Sequence, residues 1–562
     1  MPKITNTFSP SHHTRPTQSL LTPSIKNLSS LPSLTRQEVS KHDSKCDAYV
    51  IVDNLVYDIS NYGMKHPGGD VIYEMAGKDA SLPFRAYHPD YVYEKWLKSR
   101  LVGKVAEEDA SGELDSASKV QKKEPRMQEV SAINAAEGDA ETKADTTSIA
   151  AAATTTESLS NAERIQHLDN IYFNLYQRLE KEGIFHAKWY WYAFKIIYSL
   201  LIFASGLIVA FGKIHWVIPA LKGTEGAVSV LGYQITRAMV DSIWFRGIFA
   251  GFLIGLGQHQ VAFICHDSAH CSVWSNWSFD YSMCLFLANS IFGVSTLWWK
   301  YTHNQHHVVT NEWDRDPDIT HVPIFVVTKG QYLHPKGLKM NLAQKVLLYL
   351  SPLTFLPIVM FIARFSMYWQ GVYMLFILGT VPTMPWQKLH LPTHWLTAER
   401  VMTTFYFVWW FLLLRQLPSW QYIVTLIVAS HLTTGALHIQ LTLSHYDRPN
   451  VFSKDKPMTS WFEQQVITGR NIEGNITNEW IFGGLHYQIE HHLFPRAPRH
   501  SHRTIKKYVR QICDEYNIEY STGGFWSALG AVLFTVVAES RYAFRKPFKE
   551  GVYSLWSKMD LN

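Results

Sequence analysis

Cysteine is scarce in this chain of 562 residues. The five present, Cys46, Cys265, Cys271, Cys284 and Cys513, form no CxxC pair, which excludes a disulfide framework and fits a reducing, cytosol-facing environment. Charge of one sign is equally scarce. A net charge of +5 is too modest to argue for a nucleic-acid partner. The opening stretch, rich in Ser, Thr and Pro, has no continuous apolar core, so it does not read as a secretory signal. Residues 1–34 are expected to be a disordered tail. What the chain does have is apolar and aromatic material: 47% hydrophobic residues, 14% aromatic residues and 20 Trp. A mean hydropathy near zero averages polar ends with a greasy middle.

Composition divides the rest. Residues 35–106 have the make-up of a small globular domain, in which "AYVIVDNLVYDIS" predicts one or two short strands and "HPGGD" a turn. Residues 107–160 hold 12 acidic residues, 5 basic residues and no aromatic residue. Such a segment cannot bury enough apolar surface to fold alone and reads as a flexible linker. From residue 161 to 520 the chain turns hydrophobic, and 521–562 reads as a C-terminal tail. A membrane-crossing helix needs roughly 20 mostly apolar residues. Residues 193–212 and 243–265 meet that, and two to four more spans are expected between Val346 and Leu443. "CLFLANSIFGVSTLWW", 284–299, is short enough to lie in the membrane interface. Arg496, Arg499, Arg503, Lys506, Lys507 and Arg510 cluster near the end, and positive charge prefers the cytosol. A cytosolic N-terminal domain then requires an even number of crossings.

Within 35–106, His66 of "HPGGD" and His88 bracket a helical segment. Two such imidazoles could supply both axial ligands of one haem iron, leaving no open position for oxygen, so the haem would pass electrons. The glycines after His66 give a tight turn with little bulk beside a flat macrocycle. "SKHDSKCDAYVIVDNLVYDISNYGMKHPGGDVIYEMAGKDASLPFRAYHPD" resembles the cytochrome b5 domain along its length, with Tyr49 where that family has Trp. The resemblance implies an α+β fold that binds haem b through His66 and His88.

Three further histidine clusters follow. "HDSAH" places His266 and His270 four residues apart, on one helix face. "HNQHH" places His303, His306 and His307 at i, i+3 and i+4. "QIEHH", inside "GGLHYQIEHHLFPR", repeats that spacing with Gln488 ahead of His491 and His492. Burying such a polar cluster costs several kcal/mol unless something pairs with it. Neutral imidazole suits iron, zinc, copper and nickel, and seven histidines exceed what one ion needs, so two metal ions are expected. A lone zinc would need only three or four ligands, and no HExxH helix is present. Iron also explains the tethered haem, because reducing oxygen at a di-iron centre consumes electrons one at a time. Such a centre can take hydrogen from an unactivated alkyl chain, the substrate a membrane supplies.

On "WWKYTHNQHH" and "FGGLHYQIEHHLFPR", residues 161–520 resemble the membrane fatty-acyl and sphingolipid desaturases, specifically the front-end group fused to cytochrome b5, whose last box begins with Gln. The resemblance implies an all-α, multi-span domain with a di-iron site. Its ligands would be His266, His270, His303, His306, His307, His491 and His492, joined by His445 at the end of the last span. Gln488 would contribute weakly or through water. His438 is the structural competitor of His445, and His259, His321 and His486 are expected to be packing or supporting residues. Asp267, Glu490, Asp314, Asp316 and Asp318 are candidates to hydrogen-bond the ligand rings.

The resemblance further implies O2 as oxidant, an NADH-dependent cytochrome b5 reductase as donor, and an endoplasmic-reticulum membrane protein with its haem domain and boxes facing the cytosol. "DPDITHVPIF", "HIQLTLSH" and "HLFPRAPRHSHR" lean toward desaturation at Δ8 of a sphingoid long-chain base. The competing outcome is a front-end (Δ4, Δ5 or Δ6) fatty-acyl desaturase. A b5-fused lipid hydroxylase and a non-enzymatic membrane electron carrier are the other readings, and a metal transporter would want polar residues within the spans.

Overall fold

The computed structural model describes residues 30–89, 91–106, 160–212, 228–230, 233–235, 242–321, 324–335, 337–388, 391–455, 459–474 and 476–544. The expected tail lies outside the described residues up to 29, and the expected linker lies outside them up to 159.

The N-terminal unit is α+β. Its five-stranded sheet runs in the order Ser33–Leu34, Leu101–Val105, Leu55–Asp58, Asp47–Val52, Asp43–Ser44. Both central strands come from "AYVIVDNLVYDIS", joined by a turn in which Asp53 and Asn54 take positive φ (53° and 60°), a geometry that Asp and Asn tolerate. Val50, Val52, Leu55 and Tyr57 bury on one side. On the other, Leu34 packs with Val39, Ile51 and Val56 and pairs with Val105. The tail boundary at 34 is therefore too late, because an apolar residue beside an open sheet edge joins the sheet. His66 stands three residues ahead of a 3-10 helix, Gly69–Met75, and His88 caps the end of an α-helix, Ser81–Tyr87. Gly69 sits at φ +66°, a backbone region that suits glycine.

The rest is mostly helical, with three short strand pairs among the described residues. Four helices among the described residues are long and apolar enough to cross a membrane: Trp189–Ala210, Ile243–Ala269, Leu342–Leu378 and Trp420–His445. The first two fall on the expected 193–212 and 243–265, and the other two occupy the region expected to hold two to four. Ile243–Ala269 is the central one. A Cβ on Gly251 would stand 2.5 Å from the carbonyl oxygen of Leu426, and one on Gly255 2.5 Å from that of Ser430. Glycine here lets two backbones touch, as small residues do between membrane helices.

Residues 284–299 do not form one straight helix. They form the elbow between Trp277–Phe292 and Thr296–Val308, bent by 110° at Gly293, φ +85°, with Leu285, Leu287, Phe292 and Leu297 all buried. The cause is a carboxylate. Buried Glu399 accepts from Tyr281 Oη (2.6 Å), Asn289 Nδ2 (2.7 Å), Ser295 Oγ (3.0 Å) and the backbone N–H of Leu297 (2.9 Å). It thereby ties the first turn of the second histidine helix to the protein interior.

Residues 521–562 are likewise not wholly a tail. Phe525–Ser540 is a helix whose Ala528, Val532 and Val536 bury at four-residue spacing against Phe355, Val359, Ile439 and Leu443. That stripe is one helix face. Outside the spans, the amphipathic helix Asn161–Lys181 joins Trp461–Ile467, Gln488–Leu493 and His502–Glu515 around Phe462, Phe494 and Val509. The buried Tyr172 hydroxyl donates to the carbonyl of Leu493 at 2.7 Å, fixing this layer to the third histidine box.

Candidate metal centre

The three boxes and His445 converge. Ring nitrogens of His266, His270, His303 and His491 all lie within 4.8 Å of one another, and those of His306, His445 and His492 form a second such group. His307 belongs to neither and stands between them. Its Nε2 is 3.0 Å from His303 Nε2, and its ring centroid is 4.6 Å from that of His491 and 4.2 Å from that of His492. All eight histidines are buried.

Helix geometry explains the convergence. His266 lies in the last turn of Ile243–Ala269 and His445 ends Trp420–His445, two helices held in direct backbone contact. The helix Thr296–Val308, turned by the elbow, lays His303, His306 and His307 beneath them, and the short helix Gln488–Leu493 closes the cluster.

What stands behind each ring decides which nitrogen is free. His306 Nδ1 is 2.9 Å from Asp316 Oδ2, His445 Nδ1 is 3.0 Å from the carbonyl oxygen of Thr468, and His492 Nδ1 is 3.1 Å from Gln465 Oε1. His266 Nδ1 lies 3.4 Å from Asp267 Oδ1, and His303 Nδ1 lies 3.8 Å from Asp318. An Nδ1–H donated outward leaves the Nε2 lone pair facing inward, the arrangement that metal-ligating histidines use. Nε2 of His266, His270, His491 and His492 is buried with no hydrogen-bond partner. Buried nitrogens left so are costly without a cation, and the donor set, all imidazole, suits iron.

Of the acidic candidates, Asp267, Asp316 and Asp318 stand behind rings. Asp267 is itself held by Tyr192 Oη at 2.6 Å and Arg499 Nε at 2.5 Å. Asp314 and Glu490 do other work. Asp314 binds Ser453, and Glu490 accepts from Asn471 Nδ2 (2.7 Å) and Tyr520 Oη (2.6 Å), anchoring the third box from its far side. Gln488 Nε2 is 3.1 Å from His445 Nε2. His438 is buried but in neither group. His259 and His321 bond the carbonyls of Ile481 and Asp318, and His486 packs on Tyr487. Sequence reasoning missed Gln465, Thr468 and Glu399, each a lone polar residue with no spacing signal, and read Arg499 only as part of the basic cluster; only the fold brings them to the site.

In the N-terminal unit, the His66 and His88 rings face each other with centroids 5.8 Å apart. His88 Nδ1 is 3.0 Å from the carbonyl of Phe84, so its Nε2 is the free nitrogen. Surrounding protein, with His88 close by, holds His66 down to about 3, and burial holds His88 to about 4. Both rings are neutral, as an iron ligand must be. A Cβ on Gly68 would come 3.1 Å from His66 Cε1. These residues fit a haem.

The comparisons with known proteins agree with this geometry. Residues 242–524 match the family model described as Fatty acid desaturase, half of the chain. The chain belongs to the fatty acid desaturase family. Residues 35–106 match the Cytochrome b5-like Heme/Steroid binding domain. Among curated relatives, the chain is 25% identical to Delta(8)-fatty-acid desaturase 2 of Arabidopsis thaliana over 88% of its own length and 90% of the relative's. It is 25% identical to the Acyl-lipid (9-3)-desaturase of Borago officinalis over 90% and 92%. It is also 25% identical to the Delta 8-(E)-sphingolipid desaturase of Emericella nidulans over 84% and 88%. The protein is thus a cytochrome b5-fused membrane desaturase, an oxidoreductase with haem and a di-iron centre as its cofactors.

Proposed function

We propose that this desaturase introduces a double bond at Δ8 of the sphingoid long-chain base of a ceramide or related sphingolipid. Its metal ligands in this reading are His266, His270, His303 and His491 for one ion, His306, His445 and His492 for the other, and His307 between them. Gln488 is a hydrogen-bonding neighbour of His445. His66 and His88 hold the haem.

The observation that carries the reading is the pair of buried imidazole groups whose outer nitrogens are tied back to Asp316, Thr468 and Gln465. Iron bound there supplies the O2-dependent oxidation that takes hydrogen from an unactivated alkyl chain. The protein's own part is positional. Asp267, Asp316, Gln465 and Thr468 fix the rings, the elbow at Gly293 aims the second box, and the layer around Phe494 keeps water from the cluster. The Δ8 sphingoid assignment is supported by relatives named for Δ8 and for sphingolipid desaturation.

Arg503, Lys506, Lys507 and Arg510, beyond the last box, support a cytosolic centre in the endoplasmic-reticulum membrane. An NADH-dependent cytochrome b5 reductase is the proposed electron source.

Mass spectrometry of lipids from a host lacking front-end and Δ8 enzymes tests the substrate. A new double bond at C8 of the long-chain base is expected. A bond toward the carboxyl end of a fatty acyl chain would replace this reading with the acyl one, which the Borago officinalis relative favours. A new hydroxyl would make the enzyme a hydroxylase, and absence of non-haem iron would leave only an electron carrier.

A further inference from the structure

The haem domain does not touch the membrane domain at random. Glu74, on the 3-10 helix that follows His66, accepts from Gln305 Nε2 at 2.9 Å and pairs with Arg315. Arg496 Nη1 donates to the backbone carbonyl of His88 at 2.8 Å. Tyr87, next to His88, sets its ring edge-on to His307 with centroids 6.1 Å apart.

These partners come from the histidine boxes themselves. Gln305 lies between His303 and His306, Arg315 follows the second box, and Arg496 stands four residues after His492. Gln305 is only 2% exposed, and its amide hydrogen meets a carboxylate from the other domain, a charge-assisted bond. Apolar contact adds to this: Leu82 packs on the cluster around Phe494, and Arg85 lies over the ring of Phe173 at 4.5 Å.

We propose that Glu74, Gln305, Arg315 and Arg496 form a docking clamp that holds the haem domain for electron delivery, with Tyr87 as the contact between the haem ligand His88 and the second box. The inference rests on the desaturase reading and adds the surface through which its two redox sites meet. Each delivery moves one electron, oxidising the haem by one and reducing the metal centre by one, and the NADH-fed reductase restores the haem. Two electrons and two protons, with the two hydrogens leaving the alkyl chain, reduce one O2 to two waters.

The test uses the full-length enzyme with haem and iron loaded. Haem is reduced, mixed with substrate and O2, and its reoxidation followed by absorbance. Glu74→Arg is expected to slow reoxidation at least tenfold with haem spectrum and iron content unchanged, and Glu74→Asp, which keeps the carboxylate, to hold most of the rate. Wild-type reoxidation in Glu74→Arg, or a rate in iron-replete Glu74→Asp no better than that of Glu74→Arg, would overturn the clamp.

A second measurement does not depend on turnover. In Gln305→Lys, a zero-length carbodiimide is expected to join Glu74 to the introduced lysine, read as a cross-linked peptide by mass spectrometry. Absence of that peptide would overturn the docked arrangement. Loss of non-haem iron from the wild-type protein, or no product on chemical reduction, would instead overturn the desaturase reading beneath it.

Discussion

The side-chain amide of Gln488 stands 3.1 Å from Nε2 of His445. With His445 Nδ1 committed to the carbonyl of Thr468, Nε2 is the nitrogen that would hold a metal, and the amide stands beside it. An amide is a weak, neutral neighbour. A third imidazole at the same place would compete as a ligand. Gln488→His is therefore expected to keep or raise iron content while lowering product formation at least tenfold, measured by elemental analysis beside lipid mass spectrometry. Unchanged turnover would make the glutamine a tolerated replacement and no more.

Gln465 reaches His492 from a different helix and accepts at 3.1 Å. Gln465→Leu removes the acceptor and leaves the ring free to turn. Supporting partners of this kind are worth about 10- to 100-fold in metal affinity. Iron retained against a chelator should fall within that range, with helical content unchanged by circular dichroism.

His88→Ala removes one of two imidazoles 5.8 Å apart and none of the eight histidines of the membrane domain. Haem absorbance should be lost while non-haem iron stays. Activity driven by NADH should vanish. If it persists, free cytochrome b5 reaches the centre and the tethered domain is dispensable.

Asp169 offers a pH-dependent test away from the metals. Burial raises its carboxyl to about 7, although it accepts from the backbone N–H of Trp461 at 3.1 Å. A folded value above the unfolded one, about 4, means that the folded state binds the extra proton. The contribution is then most favourable below about pH 4 and is lost as pH rises toward 7. Asp169→Asn keeps an acceptor for Trp461 and removes the ionisation. Its thermal midpoint should exceed wild type at pH 8, and the gap should narrow at pH 5. A gap independent of pH would show that Asp169 is not the titrating group.

The histidine boxes were legible because their spacing puts rings on one helix face, and the haem pair because its segment resembles the cytochrome b5 domain. The first two spans were legible from length and hydropathy. The elbow at 284–299 was not, since its hydropathy is that of an interface helix and its cause, Glu399, lies about a hundred residues away. The helix Phe525–Ser540 was hidden by a length too short for a membrane crossing, although Ala528, Val532 and Val536 already keep helical spacing. Asp314 and Asp316 look alike in "DRDPD". Only the fold shows that Asp316 meets His306 while Asp314 turns to Ser453. Glu490 was drawn to the rings by its place in "QIEHH", yet its side chain leaves the opposite side of the short helix.

At Gly251 and Gly255 the main chains of two membrane helices meet with no side chain between them. His266 lies eleven residues beyond Gly255, about 16 Å along the axis at about 1.5 Å per residue. His445, on the facing helix, lies fifteen residues beyond Ser430. Two rigid rods locked by their backbones cannot slide past each other when the surrounding lipid thickens or thins. They can only tilt together. The spacing between His266 and His445 is thereby insulated from the bilayer, so an enzyme that works on membrane lipids keeps the dimensions of its reaction centre independent of the membrane they compose.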